Sequence, residues 1–210
     1  MPLLLELFCG TKSVGKIAER RGYTVISLDN RPPTDPTICV DLLEWNYKDI
    51  ATPDFIWASP PCTTFSIAAH GVHRNLAHME GFTEASRVGL LILRKTLEII
   101  RYFEGKNKNL QWCFENPRGF MRHTTEVIGI RRETCCYCKY GHPFKKPTDI
   151  FSNFPLDLVM CREKRGEHVC HHKRGKTGIA TASMNDRFKI PPDLLESIFD
   201  QSGSHPQASY

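Results

Sequence analysis

Leu3-Leu4-Leu5-Glu6-Leu7-Phe8-Cys9-Gly10-Thr11-Lys12-Ser13-Val14-Gly15 runs from an apolar stretch into a glycine-bearing turn, and then into an amphipathic segment that continues through Arg20 and stops at Gly22. A short apolar run, a turn and a 3.6-period pattern in that order read as a buried strand, a tight turn and a helix. Working outward, Thr24 to Leu28 reads as a second strand ending in Asp29. Ile38-Cys39-Val40 reads as a third ending in Asp41, with a proline-rich loop from Arg31 to Pro36 between them. Phe55-Ile56-Trp57-Ala58 is a fourth run and Gln111 to Phe114 a fifth. Between these two, apolar residues at every third or fourth place predict a helix from about Thr83 to Phe103. Strands alternating with helices predict an α/β fold: a doubly wound, mostly parallel, Rossmann-like sheet.

A chain of 210 residues can bury one main core with at most a small appendage. Its 28 basic and 23 acidic residues leave a mild positive charge, compatible with a polyanion partner but far from that of a dedicated nucleic-acid binder. No apolar stretch approaches a membrane span, and the start lacks the marks of a signal peptide, so no membrane association is expected. The expected setting is a reducing intracellular compartment, the host cytoplasm or nucleus if the chain is viral. Nine cysteines then read as core thiols, a catalyst and a metal site rather than a disulfide framework.

The chemistry concentrates after the fourth and fifth strands. Pro60-Pro61-Cys62-Thr63-Thr64-Phe65-Ser66 follows one, and Phe114-Glu115-Asn116-Pro117 closes the other. In an open parallel sheet both would reach the crevice at the carboxyl ends of the strands. A thiolate can add to an electron-poor ring carbon that a hydroxyl leaves alone. A carboxyl in a partly dry pocket can grip the ring nitrogens that gain electron density as it does so. That pairing suits a pyrimidine. On the other side, backbone amides of the turn around Gly10 and Gly15 can approach a polar ligand closely, and Asp29 is placed to accept bonds from ribose hydroxyls. A nicotinamide cofactor fits the fold class, although no G-x-G-x-x-G is present.

With these residues in view, the chain resembles the cytosine-5 DNA methyltransferases, in particular the compact forms of phages and large DNA viruses. The likeness runs from Leu5 to about Ile198. Glu6-Leu7-Phe8-Cys9-Gly10 resembles the first motif of that family, Asp29 the second, Asp41-Leu42 the third, Pro61-Cys62 with Phe65-Ser66 the fourth, and Glu115-Asn116 the sixth. The first motif of the family carries a further glycine where Lys12 or Ser13 stands here. The resemblance implies a class I methyltransferase-like fold and S-adenosylmethionine as cofactor. Phe8 and Gly10 would lie near its methionine part, Asp29 on the ribose and Asp41 on the adenine amino group, with Leu42 and Pro60 completing the set. It implies Cys62 as nucleophile toward C6 of a flipped cytosine and Glu115 as its partner on the N3 and N4 edge, with double-stranded DNA as substrate and a monomeric enzyme. The loop from Phe65 to Phe82, with Gly71 and Gly81 as pivots, would close over the base, and His70, His73, Arg74 and His78 would face phosphates. Tyr140-Gly141-His142-Pro143-Phe144-Lys145-Lys146-Pro147-Thr148 is similar to the eighth motif, with Lys146 and Thr148 where the family has arginines, which makes Lys146 the third catalytic candidate. Two rival readings stay open: the same chemistry on RNA, and an inactive, zinc-stabilised nucleic-acid-binding protein.

After about Gly129 the periodic pattern stops. The expected division is a catalytic and cofactor-binding domain over 1–129, a small inserted recognition module over 130–181, a helical segment over 182–200 that packs back, and a flexible tail over 201–210. The module is poor in apolar residues, so a staple is needed, and one structural zinc is the expectation. Cys138, Cys161, Cys170 and His171 are the candidate ligands, and Arg162, Lys164, Arg165, Lys173, Arg174 and Lys176 around them form a candidate phosphate-facing patch.

Overall fold

All four side chains of strand β4 (Phe55–Ala58) are buried, and they divide by parity. Phe55 and Trp57 face one core and Ile56 and Ala58 the other, as the two-residue period of a strand covered on both faces demands. The same alternation runs through β1 (Leu3–Leu7), where Leu4 faces one way and Leu5 and Leu7 the other, and through β5 (Gln111–Pro117), where Cys113 opposes Trp112 and Phe114.

The computed structural model describes residues 1–79, 81, 83–161 and 184–203. With β2 (Thr24–Asp29), β3 (Ile38–Cys39), β6 (Arg132–Cys136) and β7 (Pro147–Ser152), these strands make one seven-stranded sheet in the order β3-β2-β1-β4-β5-β7-β6. Only β7 runs antiparallel to its neighbours. On one face lies helix α2 (Glu84–Lys106), whose Leu90, Leu93, Leu97, Ile100 and Phe103 return every third or fourth residue and pack on Leu5, Ile56 and Phe114. Thr83 begins that helix with a capping box, its Oγ1 accepting the Ser86 amide at 3.2 Å while Ser86 Oγ accepts the Thr83 amide at 3.0 Å. On the other face lie α1 (Ser13–Arg20) and α4 (Pro192–Gln201), which bring Ile17, Leu194, Ile198 and Phe199 against Phe55 and Trp57. The doubly wound sheet expected from the sequence is therefore present. The helical segment expected over 182–200 is split by Pro191-Pro192 into α3 (Met184–Phe188) and α4, because proline removes a ladder donor and is best placed in a first turn.

The boundary expected near residue 130 falls inside the sheet. β6 pairs with β7, and β7 with β5 from Cys113 to Pro117, so residues 132–152 extend the main core. Their Cys135, Ile150 and Phe151 are fully buried there, which the polar composition of the whole segment conceals. The basic residues expected to face phosphates, at 162–176, lie outside the described residues.

Glu6 is the one carboxylate on β1, and parity turns it under α1, where it is 2 % exposed and accepts the Gly15 amide at 3.1 Å. A Cβ on Gly15 would lie 2.7 Å from Glu6 Oε2, so the glycine lets the helix start close to the strand. Burial outweighs these amide bonds and raises the Glu6 carboxyl from 4.5 to about 8. A raised folded-state value means that Glu6 contributes stability in full below about pH 4.5 and loses it as pH rises through about 8. Glu6→Gln should remove that dependence: denaturant titrations at pH 5 and pH 8 are expected to show the wild type losing up to about 4 kcal/mol relative to the variant. Equal slopes for the two proteins would refute the assignment.

Candidate active site

β4 and β5 run parallel with Ala58 opposite Phe114, so the chain beyond Ala58 and the Glu115-Asn116 pair emerge at the same end of the sheet. Asn116 Nδ2 donates to the Pro60 carbonyl at 2.9 Å and ties the two ends together. Immediately beyond, the Cys62 carbonyl accepts the amides of Phe65 at 3.0 Å and Ser66 at 2.9 Å, so the cysteine opens a tight turn. That turn is backed by Gly119, where any Cβ would collide with the Phe65 carbonyl, and by the Phe120 amide, which donates to that oxygen. Cys62 is half-buried, and its neighbours Pro60 and Phe65 are buried.

Glu115 is 6 % exposed and points to the α1/α4 side of the sheet by the parity of β5. Its Oε1 accepts the Tyr137 hydroxyl at 2.9 Å and lies 3.6 Å from the Lys146 ammonium. Lys146, 9 % exposed, also donates to the Arg187 carbonyl at 2.9 Å and sits 4.6 Å over the Tyr137 ring. Burial, followed by the Glu115 charge, pushes the Cys62 thiol above its ordinary value, and the Lys146 charge opposes the rise. Cys62, Glu115 and Lys146 thus sense one another electrostatically. Iodoacetamide should alkylate Cys62 more slowly at neutral pH than a free thiol, with the rate still climbing in the alkaline range. At pH 8, Glu115→Gln is expected to speed alkylation by about 3–10-fold and Lys146→Met to slow it by a similar factor, read by mass spectrometry of the Cys62 peptide. Identical rates in all three proteins would mean that the groups do not share a site.

At the neighbouring strand ends the backbone of the first turn is unusual. Phe8, Gly10 and Lys12 all have positive φ, at 62°, 49° and 54°. For Phe8 and Lys12 such backbone costs roughly 1–2 kcal/mol each. Lys12 occupies a left-handed position that glycine would adopt freely. Its amide donates to the Cys9 carbonyl at 2.7 Å and its ammonium pairs with Asp35 at 3.0 Å. Asp29, 4 % exposed, takes the Gly10 amide on Oδ2 at 3.0 Å and the Arg31 amide and Nε on Oδ1 at 3.0 and 3.1 Å. Little acceptor capacity remains on it unless the half-exposed Arg31 side chain swings away. Asp41 is exposed, and its carboxylate accepts the local Leu43 amide at 2.9 Å, whereas the Leu42 side chain is buried in the core, 3 % exposed. A strap from α3 spans this turn and the acid: Ile190 donates to Ser13 Oγ at 3.3 Å, Arg31 lies 5.9 Å over the Phe188 ring, and Lys146 holds the Arg187 carbonyl.

Several side chains do other work than the sequence suggested. Arg74, expected to face phosphates, is 0 % exposed and donates to the carbonyls of Thr64, Met79 and Ser86 while stacking 4.4 Å from the Phe65 ring. A guanidinium in the middle of a loop has five donors for buried carbonyls that no strand satisfies, so it organises the loop from within. His73 bonds Thr83 Oγ1 at 2.8 Å, and His70 stacks on Phe120. Thr148 is fully buried and returns its hydroxyl to the Lys146 carbonyl. Of the expected zinc ligands, Cys138 and Cys161 gather with Cys136 and Met160 in a small buried cluster, while Cys170 and His171 lie outside the described residues. Among the described residues no group of three or more His, Cys, Asp or Glu side chains is arranged to hold a metal. Sequence reading missed Tyr137 altogether, and the roles of Asn116 and Arg74. Only the β6–β7–β5 register, with Cys136 opposite Pro147 and Ile150 opposite Glu115, carries Tyr137 to the acid.

A mostly parallel sheet with one reversed strand next to its edge and helices on both faces is the fold of the class I methyltransferases. Comparison with known proteins agrees. A probable DNA (cytosine-5)-methyltransferase of Frog virus 3 (isolate Goorha) is 29 % identical over 219 residues, spanning 94 % of this chain and 98 % of that one. No protein-family profile matches the chain. Among solved structures, the Entamoeba histolytica methyltransferase EhMeth aligns with a TM-score of 0.54 at 15 % identity, covering 78 % of this chain and 58 % of that one. The S. pombe Dnmt2 methyltransferase aligns at 0.50 and 13 %, covering 79 % and 57 %. The chain thus spans little more than half the length of these two structures, and at such identity they support the fold. The protein is a methyltransferase, and the family it resembles end to end is that of the cytosine-5 enzymes of large DNA viruses.

Proposed function

We propose that the protein is an S-adenosylmethionine-dependent DNA cytosine-5 methyltransferase that works through a covalent adduct on Cys62. The observation that supports this reading is the Asn116–Pro60 bond, which joins the strand ends from which the half-buried Cys62 and the buried Glu115, paired with Lys146, emerge. A cytosine is shielded inside a duplex, so it enters the pocket flipped, at about a few kcal/mol of lost stacking and pairing. The Cys62 thiolate adds to C6; the S–C6 bond forms and the C5–C6 π pair moves toward C5. Glu115 holds the N3 and N4 edge of the ring, where charge redistributes, and Lys146 steadies the carboxylate. When the C5 proton has been lost to a base, the S–C6 bond breaks, its electron pair leaves with the thiolate and the ring double bond is restored.

The fit of the cofactor rests on the turn after β1. Three positive-φ residues turn the chain sharply, and Gly10 leaves open the space that a side chain would fill. Phe8, Gly10, Asp29 and Asp41 would hold the bound molecule, with the Leu42 and Pro60 backbones at its margin, and it would supply the electrophilic methyl group that C5 takes up. The test uses the native chain, labelled methyl donor and unmethylated duplex DNA, with RNA as competitor, and a duplex carrying 5-fluorocytosine to arrest the adduct. Labelled DNA and a denaturation-resistant DNA–protein species support the reading; methyl transfer to RNA alone, or transfer without a Cys62 adduct, overturns it.

A further inference from the structure

Tyr137 lies at the end of β6 and opens the short turn to Tyr140. It is 0 % exposed, packed among Trp57, Ile150 and Leu194, and set edge-on to His142. Buried phenols are usually content with a backbone carbonyl, but this one gives its hydrogen to Glu115 Oε1 at 2.9 Å, the same oxygen that Lys146 approaches to 3.6 Å. Among the described residues Oε2 receives no such bond. The terminal torsion of a glutamate is broad and roughly two-fold, so an untethered carboxyl would present either oxygen at a shifting angle. A hydrogen bond from the Tyr137 hydroxyl and the charge of the Lys146 ammonium, both on one oxygen, restrict that freedom. Burial, reinforced by the Glu115 charge, pushes the Tyr137 hydroxyl well above its ordinary value of 10.0. It therefore stays a donor throughout the working range and never competes with substrate as an acceptor.

We propose that Tyr137 is a positioning residue for methyl transfer: its hydroxyl and the Lys146 ammonium hold Oε1 so that Oε2 is the oxygen presented to the ring edge of the substrate. The inference rests on the cytosine-5 reading. A 1 Å error in the placement of such a group can cost a hundredfold in rate without changing how tightly cofactor binds. A tyrosine that served only the core would influence stability and nothing more.

Tyr137→Phe keeps the ring and its packing and removes one atom. Its kcat on duplex DNA is expected to fall about 10–100-fold, with KM for the methyl donor within about twofold of wild type. The variant is then placed on a Glu115→Gln background, in both cases with 5-fluorocytosine adduct yield as a second readout. Since Tyr137 acts through the carboxylate, Tyr137→Phe should cost less than about twofold there. Equal kcat for Tyr137→Phe and wild type overturns the proposal, as does an equal loss on both backgrounds, which is the signature of a purely structural residue. Wild-type protein that yields no adduct overturns the cytosine-5 reading and this inference with it, and so the two failures are told apart.

Discussion

Cys62→Ala should abolish methyl transfer, with a loss on the order of 10⁴-fold or more, because the ring carbon that receives the methyl is not nucleophilic until a group has added beside it. Two other groups nearby are poorly placed to substitute. The Thr64 hydroxyl is buried, and Cys9 is 4 % exposed on the turn after β1, raised above its ordinary value by burial. Cys62 is half-exposed and leaves only a small gap, so the variant should fold and unfold like the wild type. Circular dichroism and denaturant titration provide that control. Labelled methyl transfer and adduct trapping provide the result, and retention of more than a few per cent of wild-type transfer would exclude Cys62 as nucleophile. Cys62→Ser should be nearly as damaging, since a hydroxyl in the same place is almost fully protonated at working pH and far less nucleophilic.

Arg74→Met is expected to be among the most destabilising single changes in the chain, at about 3–5 kcal/mol. The guanidinium is fully buried and bonds the carbonyls of Thr64, Met79 and Ser86, joining the start, the end and the far helix of one loop. Methionine fills part of the volume but donates nothing, so the carbonyls of Thr64, Met79 and Ser86 lose the bonds that the buried guanidinium gives them. Lysine would keep the charge and lose the fork, since an ammonium cannot reach three separated carbonyls in one plane; Arg74→Lys should recover less than half of the loss. The effect extends to catalysis, because Thr64 and Phe65 belong to the turn that Cys62 opens. Urea titration gives the stability change, and limited proteolysis should locate new cleavage between Cys62 and Thr83. A shift under about 1 kcal/mol, with no new cleavage, would mean that the loop is held by other means.

The contrast between Cys62 and Arg74 marks where sequence reading works and where it stops. Cys62 was legible because its context is local: an apolar run, two prolines and a polar turn. The same holds for α2, whose apolar residues recur at every third or fourth place from about Thr83 to Phe103. Arg74 was misjudged because a basic residue among histidines and glycines looks like a phosphate ligand. Whether it faces solvent or three inward carbonyls depends on how the loop folds over Phe65. The segment after Gly129 was read as a separate module because its composition is averaged over masses of Lys, Arg, Cys and His, whereas β6 and β7 are only five and six residues of it.

Strand and helix periods, turn residues and the order of the motifs were enough to specify a parallel α/β sheet with a thiol and an acid at neighbouring strand ends, because each of those signals acts over a few bonds. The partners of the acid were not. Tyr137 and Lys146 meet Glu115 through the antiparallel pairing of β5, β7 and β6, and strand register is set by which faces bury against which helices, a condition satisfied across the whole molecule and written in no short stretch of it.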